Sequence, residues 1–199
     1  PSAVQHIGEE AFLANWGVTS FSIAAGSQLV SIGVRAFYNC KYMTGDLNLP
    51  EGFTEIGMEA FDMCKLSSVN IPSTLHTIST AAFSGCKFSS VNIPSTVTSI
   101  GTYAFSGCGA EQGMVVNIEG NFENGTYIRN YAFKDSKTKA LTLGEGRFYI
   151  MEQAFKGCNM LVGDLVIPRA TIGKSAFMDC TSLSSVQISE NVITTEISE

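Results

Sequence analysis

The chain has 199 residues, 45% of them hydrophobic and only 15% charged, with a formal net charge of −6. That length is one domain, and the apolar content excludes a disordered chain because it is enough to bury a sizeable core. Twelve Lys and Arg scattered along an acidic chain exclude nucleic acid as a partner, since phosphates are met by clustered cations.

Reading from the amino end, residues 12 to 34 carry no charge, but Asn15, Thr19, Ser20, Ser22, Ser27, Gln28 and Ser31 interrupt the run, so no membrane span is expected there. The same segment contains the first unit of a repeat. Ala-Phe recurs at Phe12, Phe37, Phe61, Phe83, Phe105, Phe133, Phe155 and Phe177, with steps of 25, 24, 22, 22, 28, 22 and 22 residues. Four residues before each Ala stands Ile, from Ile7 to Ile172, in all eight copies. Three residues after each Phe stands Cys (Cys40, Cys64, Cys86, Cys108, Cys158, Cys180), with Asn15 and Ser136 in its place in the first and sixth copies.

Each copy then carries an apolar, polar, apolar triplet: Phe21-Ser22-Ile23, Leu47-Asn48-Leu49, Val69-Asn70-Ile71, Val91-Asn92-Ile93, Val116-Asn117-Ile118, Leu141-Thr142-Leu143, Leu165-Val166-Ile167 and Val186-Gln187-Ile188. Such a triplet is a short strand with one face to a core, and the Pro that follows four of them forbids a further ladder bond. After the strand the chain returns along the opposite side as a short extended segment ending at the Ile. A single helical turn is then expected to carry Ala and Phe inward. Gly after the Ile, as at Gly57, supplies either a positive φ or a close backbone approach.

A unit of about 22 residues cannot bury its own apolar face, whereas units stacked in register bury a core between them. The expected fold is therefore a repeat solenoid, with a parallel β-sheet on one side and extended segments and single helical turns on the other. Residues 1–199 form one such domain of about eight repeats. The long step between Phe105 and Phe133 is expected to loop out over 109–127, a segment containing the glycosylation acceptor sequence Asn124-Gly125-Thr126. The core is expected to hold Phe37, Phe61, Phe83, Phe105, Phe133, Phe155 and Phe177, together with the thiols of Cys64, Cys86 and Cys108.

The frame Ile-Gly-x-x-Ala-Phe-x-x-Cys followed by a Val-x-Ile-Pro strand resembles the BspA-like class of leucine-rich repeats, and the resemblance covers essentially the whole chain. Membership implies an arc-shaped or flattened solenoid. It also implies a large surface or secreted protein, associated in that family with adhesion to host proteins or to other cells, in bacteria or in single-celled eukaryotes.

Catalytic chemistry is not legible. Six Cys without a Cys-x-x-Cys pair, and His6 and His76 at different repeat positions, provide no metal ligand set, and no cofactor is expected. Stacked, parallel Cys side chains leave their Cβ atoms too far apart for a disulfide, so the thiols are read as free and structural. Asp46 and Asp164 follow Gly and read as turn residues. No nucleophile or phosphate-loop motif appears, so the chain is read as no enzyme.

The remaining candidate is the outward strand column, a nearly uncharged strip whose proposed binding residues are Asn48, Asn70, Asn92, Asn117 and Thr142, with Ser68 and Ser90 beside them. Concave solenoid faces of this kind receive a protein or glycan ligand. The alternative is a structural scaffold or spacer. On either reading the ends lack polar caps, so flanking repeats of a longer chain or a partner chain are expected to stack there.

Overall fold

The structure is a computed structural model that describes residues 4–189; the outermost parts of the expected domain, 1–3 and 190–199, lie outside the described residues. The strands form two stacks, a back one in two hydrogen-bonded sheets and a front one in three, and from the second back strand onward the chain enters them alternately. The back stack contains β1 (His6–Ile7), β2 (Ser31–Ile32), β4 (Glu55–Ile56), β6 (Thr77–Ile78), β8 (Ser99–Ile100), β10 (Thr126–Ile128), β12 (Phe148–Ile150) and β14 (Ala170–Ile172). The front stack contains β3 (Thr44–Asn48), β5 (Lys65–Asn70), β7 (Ser90–Ile93), β9 (Met114–Ile118), β11 (Thr138–Leu143), β13 (Gly163–Ile167) and β15 (Leu183–Ile188).

Every strand pairing is parallel, and at the back Ile7 meets Ile32, Ile32 meets Ile56, and Ile128 meets both Ile100 and Ile150. Because neighbours in each stack are one repeat apart, the chain winds as a solenoid. The segments expected merely to be extended on the far side are therefore hydrogen-bonded strands, β1-β2-β4 in one sheet and β6-β8-β10-β12-β14 in another. In the first copy the expected strand at Phe21-Ser22-Ile23 is not formed.

The third side corrects the expectation of helical turns: no helix occurs among the described residues. Around Phe83, Ala82, Ser84 and Cys86 donate their N–H to carbonyls three residues back, while Ala81, Phe83 and Gly85 donate to Thr102, Ala104 and Ser106 of the next turn. Alternate N–H groups thus point along the solenoid axis, which a helix does not allow. The backbone reaches this geometry through two left-handed residues per repeat, Ala81 (φ 51) and Gly85 (φ 75) here, and their counterparts elsewhere include Arg35, Glu59 and Tyr103. Left-handed backbone costs a non-glycine residue about 1–2 kcal/mol, which the hydrogen bonds between turns offset.

Gly57 resolves the question about the Gly after Ile. Its φ is not positive; instead a Cβ there would lie 2.4 Å from the backbone of Gly33 in the preceding turn. The requirement is close approach between turns.

The eight Phe rings form one continuous stack. Successive centroids lie 4.9, 5.2, 5.8, 5.5, 5.1, 4.9 and 5.1 Å apart, and no interplanar angle exceeds 19°. Phe37, Phe61, Phe83, Phe105, Phe133 and Phe155 are buried, Phe177 is partly buried, and Phe12 in the first turn is 39% exposed. Ala beside each Phe leaves room for the ring, and the Ile column closes the core on the back sheet.

The 109–127 segment is not one excursion. Compared with the fourth copy, the chain holds three surplus residues between Cys108 and Val116 and three more between Ile118 and Ile128, with β9 held in the front sheet between them. Both surpluses are absorbed in tight loops, where Gly109, Gly113, Gly120 and Gly125 have positive φ.

Candidate functional site

The front sheet alternates inward and outward residues. In β7, Val91 and Ile93 are buried while Ser90 and Asn92 are exposed. The same alternation places Asn48, Asn70 and Thr142 outward and exposed, and Asn117 outward and half-buried. The register aligns Asn48 with Asn70, and Asn92 with Asn117 and Asn117 with Thr142. The strip is interrupted, because β5 and β7 are not hydrogen-bonded into one sheet, so Asn70 and Asn92 belong to separate segments.

The amides do not form a continuous ladder. Asn117 Nδ2 donates to Asn92 Oδ1 at 2.8 Å, whereas Asn70 Nδ2 reaches the Leu49 carbonyl at 3.3 Å. Ser68 Oγ donates to Asp46 Oδ1 at 2.6 Å, and Ser67 Oγ to the same atom at 3.1 Å; these bonds hold the Asp46 carboxyl below its ordinary range. Ser185 and Asp164 repeat this arrangement. Both aspartates follow a left-handed Gly at a register irregularity, Gly45 and Gly163, so each stands at a strand bulge.

The cysteine column shows more chemistry than its spacing indicated. All six are free thiols; five are buried and Cys180 is partly exposed. Each Sγ donates to the Phe carbonyl of the preceding turn: Cys40 to Phe12, Cys64 to Phe37, Cys86 to Phe61, Cys108 to Phe83, Cys158 to Phe133 and Cys180 to Phe155, at 2.9 to 3.5 Å. The same carbonyl accepts its own repeat's Cys N–H, as Phe61 does from Cys64.

Burial pushes the Cys108 thiol up to about 12 and the Cys64 and Cys86 thiols upward as well. Thiols held neutral in this way are rungs between turns and poor nucleophiles. Where Cys is replaced, Ser136 bonds Thr138 Oγ1 at 2.7 Å and approaches Cys158 Sγ at 3.3 Å, and the Asn15 side chain accepts from Gly17 N–H at 3.1 Å.

His6 and His76 are both exposed, on different repeats. Trp16 and Tyr42 lie away from the front strip, with the Lys41 ammonium 3.8 Å from the Trp16 ring centroid and 5.2 Å from that of Tyr42. Sequence reasoning missed the outer face of the back sheet. The residue before each Ile points outward there, and in two consecutive copies it is an aromatic, Tyr127 and Tyr149, whose rings stack at 4.4 Å. The signal was available in the repeat register, one position before the invariant Ile.

The geometry agrees with comparisons to known proteins. The sequence matches the BspA type Leucine rich repeat region in six copies, over residues 5–119, 30–159 and 115–199. A leucine rich cell surface protein from Faecalibacterium prausnitzii is 19% identical with a TM-score of 0.47, over 96% of this chain and 78% of that one. A leucine-rich repeat protein from Bacteroides ovatus is 24% identical with a TM-score of 0.44, over 96% of this chain and 66% of that one. No curated protein matches the chain. With repeats matched along nearly its whole length, and the Ile, Ala-Phe and Cys columns of those repeats each assembled in space, this chain belongs to the BspA-type leucine-rich repeat family.

Proposed function

We propose that the chain is a noncatalytic recognition or adhesion module of a cell-surface or secreted protein, and that it takes a protein or glycan on its front strip. Membership of the repeat family supports an interaction role and a surface or extracellular setting. The observation that carries the choice of face is the outward column itself: Asn48, Asn70, Asn92, Asn117 and Thr142, with Ser68 and Ser90 alongside, present uncharged donors and acceptors from successive turns, in two neighbouring parallel sheets. A ligand with its own hydroxyls or amides exchanges water for these groups over several turns, and the shared spacing of the turns sets its register.

A second reading has its own support. Val4, Ile7, Phe21, Ile23 and Leu29 line an apolar cavity of about 320 Å³ at the first described turn. A scaffold subunit would use this surface to stack a neighbouring winding, with no ligand on the strip.

The readings separate in one experiment. Beads coated with wild-type protein or with the Asn70→Arg, Asn92→Arg variant are counted on cultured epithelial cells, after thermal melting has shown both proteins folded. Loss of adhesion in the variant supports the strip. Equal adhesion by both removes it and leaves the end surface as the site of interaction.

A further inference from the structure

The back sheet changes character in its last three turns. Up to β8 its outward residues include Ser31, Thr77 and Ser99, whereas β10 and β12 present Tyr127 and Tyr149. In β12 the alternation runs Arg147 exposed, Phe148 buried, Tyr149 half-buried and Ile150 buried, so Arg147 shares the outer face with Tyr149. The pairing of Phe148 with Ala170 sets Arg169, also exposed, on the neighbouring rung beside Arg147. Arg129 follows Ile128 on the other side of the tyrosines; its guanidinium lies 4.8 Å from the Tyr127 centroid and its Nε donates to Ser99 Oγ at 3.4 Å.

Three of the chain's four arginines therefore surround one pair of stacked tyrosines. In a protein of net charge −6 this is a local reversal: residues 129–174 hold eight of the twelve Lys and Arg but only four of the eighteen Asp and Glu. The ion pairs among the described residues join Arg35 to Glu10 and Glu59, and Lys134 to Asp135; none uses Arg129, Arg147 or Arg169. The scattering read from the sequence is undone by the winding, which brings residues twenty apart onto adjacent rungs.

We infer that this face, Arg129, Arg147 and Arg169 around Tyr127 and Tyr149, binds a linear anionic polysaccharide carrying carboxylate or sulfate groups. The charges call for an anion, and guanidinium forks match planar or tetrahedral oxyanions in two-point hydrogen bonds. Four residues of strand and one rung separate Arg147 from Arg129, about 14 Å at the usual strand dimensions, so the ligand must carry repeated charges along a chain. A peptide adding as a strand is disfavoured because the tyrosines and arginines stand on the face of the sheet, and β10 and β12, which present Tyr127 and Tyr149, are paired on both sides, so their backbone groups are spent on rungs. Side-chain hydroxyls of Ser99, Tyr127, Tyr149 and Thr171 complete the surface and suit the hydroxyls of a sugar chain.

The test uses the full chain immobilised on a sensor surface, with heparin as the sulfated probe, alginate as the carboxylated one, and dextran, polyglutamate and a duplex DNA oligomer as comparators. Heparin or alginate is expected to bind, more weakly as salt rises, while dextran does not bind. Arg147→Ser and Arg169→Ser should each weaken binding about tenfold, in line with the loss of one charge-assisted contact. The Asn70→Arg, Asn92→Arg variant should bind heparin no worse than wild type, which separates this face from the front strip. All three arginines are exposed, so their variants are expected to melt with the wild type. Absence of binding to both polysaccharides, equal binding by the Arg147→Ser, Arg169→Ser double variant, or binding of polyglutamate or DNA as tight as that of the polysaccharides would overturn the inference.

Discussion

The turn around Phe83 and the turn around Phe12 carry the same local motif and live in different environments. Phe83 is buried, sandwiched between Phe61 and Phe105, with Phe88 against its edge. Phe12 stacks on Phe37 alone among the Phe column and remains 39% exposed. The central copy has a formed front strand, and the first has none at Phe21-Ser22-Ile23. The difference teaches that the core belongs to the spaces between turns: a copy of the motif is as stable as the neighbours stacked on it.

The largest effect expected from this contrast is on the rings. Phe83→Ala should cost about 3–5 kcal/mol in urea unfolding, because the cavity it opens is shared by two adjacent turns. Phe12→Ala should cost roughly 1–2 kcal/mol, since less of the ring is withdrawn from water. Equal losses at the two positions would break the comparison. A smaller effect is expected from the glycines. Gly57→Ala pushes a methyl into the backbone of Gly33 and should cost about 1–3 kcal/mol, whereas Gly8→Ala meets nothing within 4 Å and should be neutral to about 0.5 kcal/mol. Differential melting of the two variants decides whether contact between turns, and not backbone freedom, selects glycine here.

The thiols sharpen the same point through pH. Cys108 is held neutral up to about 12 in the folded chain, above the ordinary thiol value near 8.5 reached on unfolding. Its contribution is therefore fully present below about pH 8.5 and is lost as pH rises from there toward 12, at about 1.4 kcal/mol per pH unit. Cys108→Ser should show a correspondingly shallower alkaline loss of stability, followed by urea midpoints at pH 8, 9 and 10. The first turn, with Asn15 at the equivalent position, contributes nothing to this slope. Identical slopes in wild type and variant would mean that Cys108 is not shielded.

Much of the architecture was legible because it is written as columns: the Ile, Ala-Phe and Cys positions and the alternating strands each repeat, and a repeat must stack to bury its apolar face. The outward position of Asn70 and Asn92 follows from alternation alone. The left-handed residues were not legible. Nothing in Ala81, Tyr103 or Glu59 favours a positive φ; it is imposed by N–H groups that must reach the next turn. The thiol-to-carbonyl bonds and the break between β5 and β7 likewise depend on how one winding sits on the next. The division of the surplus residues on either side of β9 was not legible, because it depends on Met114–Ile118 pairing with the strands of neighbouring turns.

By itself the sequence determined that the chain winds, how many times, and which side chains face inward, because periodic burial is a property of spacing. Only the tertiary structure decided that the turns beside each Phe are not helical, that the return segments make hydrogen-bonded strands of their own, and that three arginines distant in sequence surround Tyr127 and Tyr149. The physical reason is that each of these depends on contacts across about one rung of the stack, and such contacts relate residues some twenty positions apart, a distance at which local propensity carries no information.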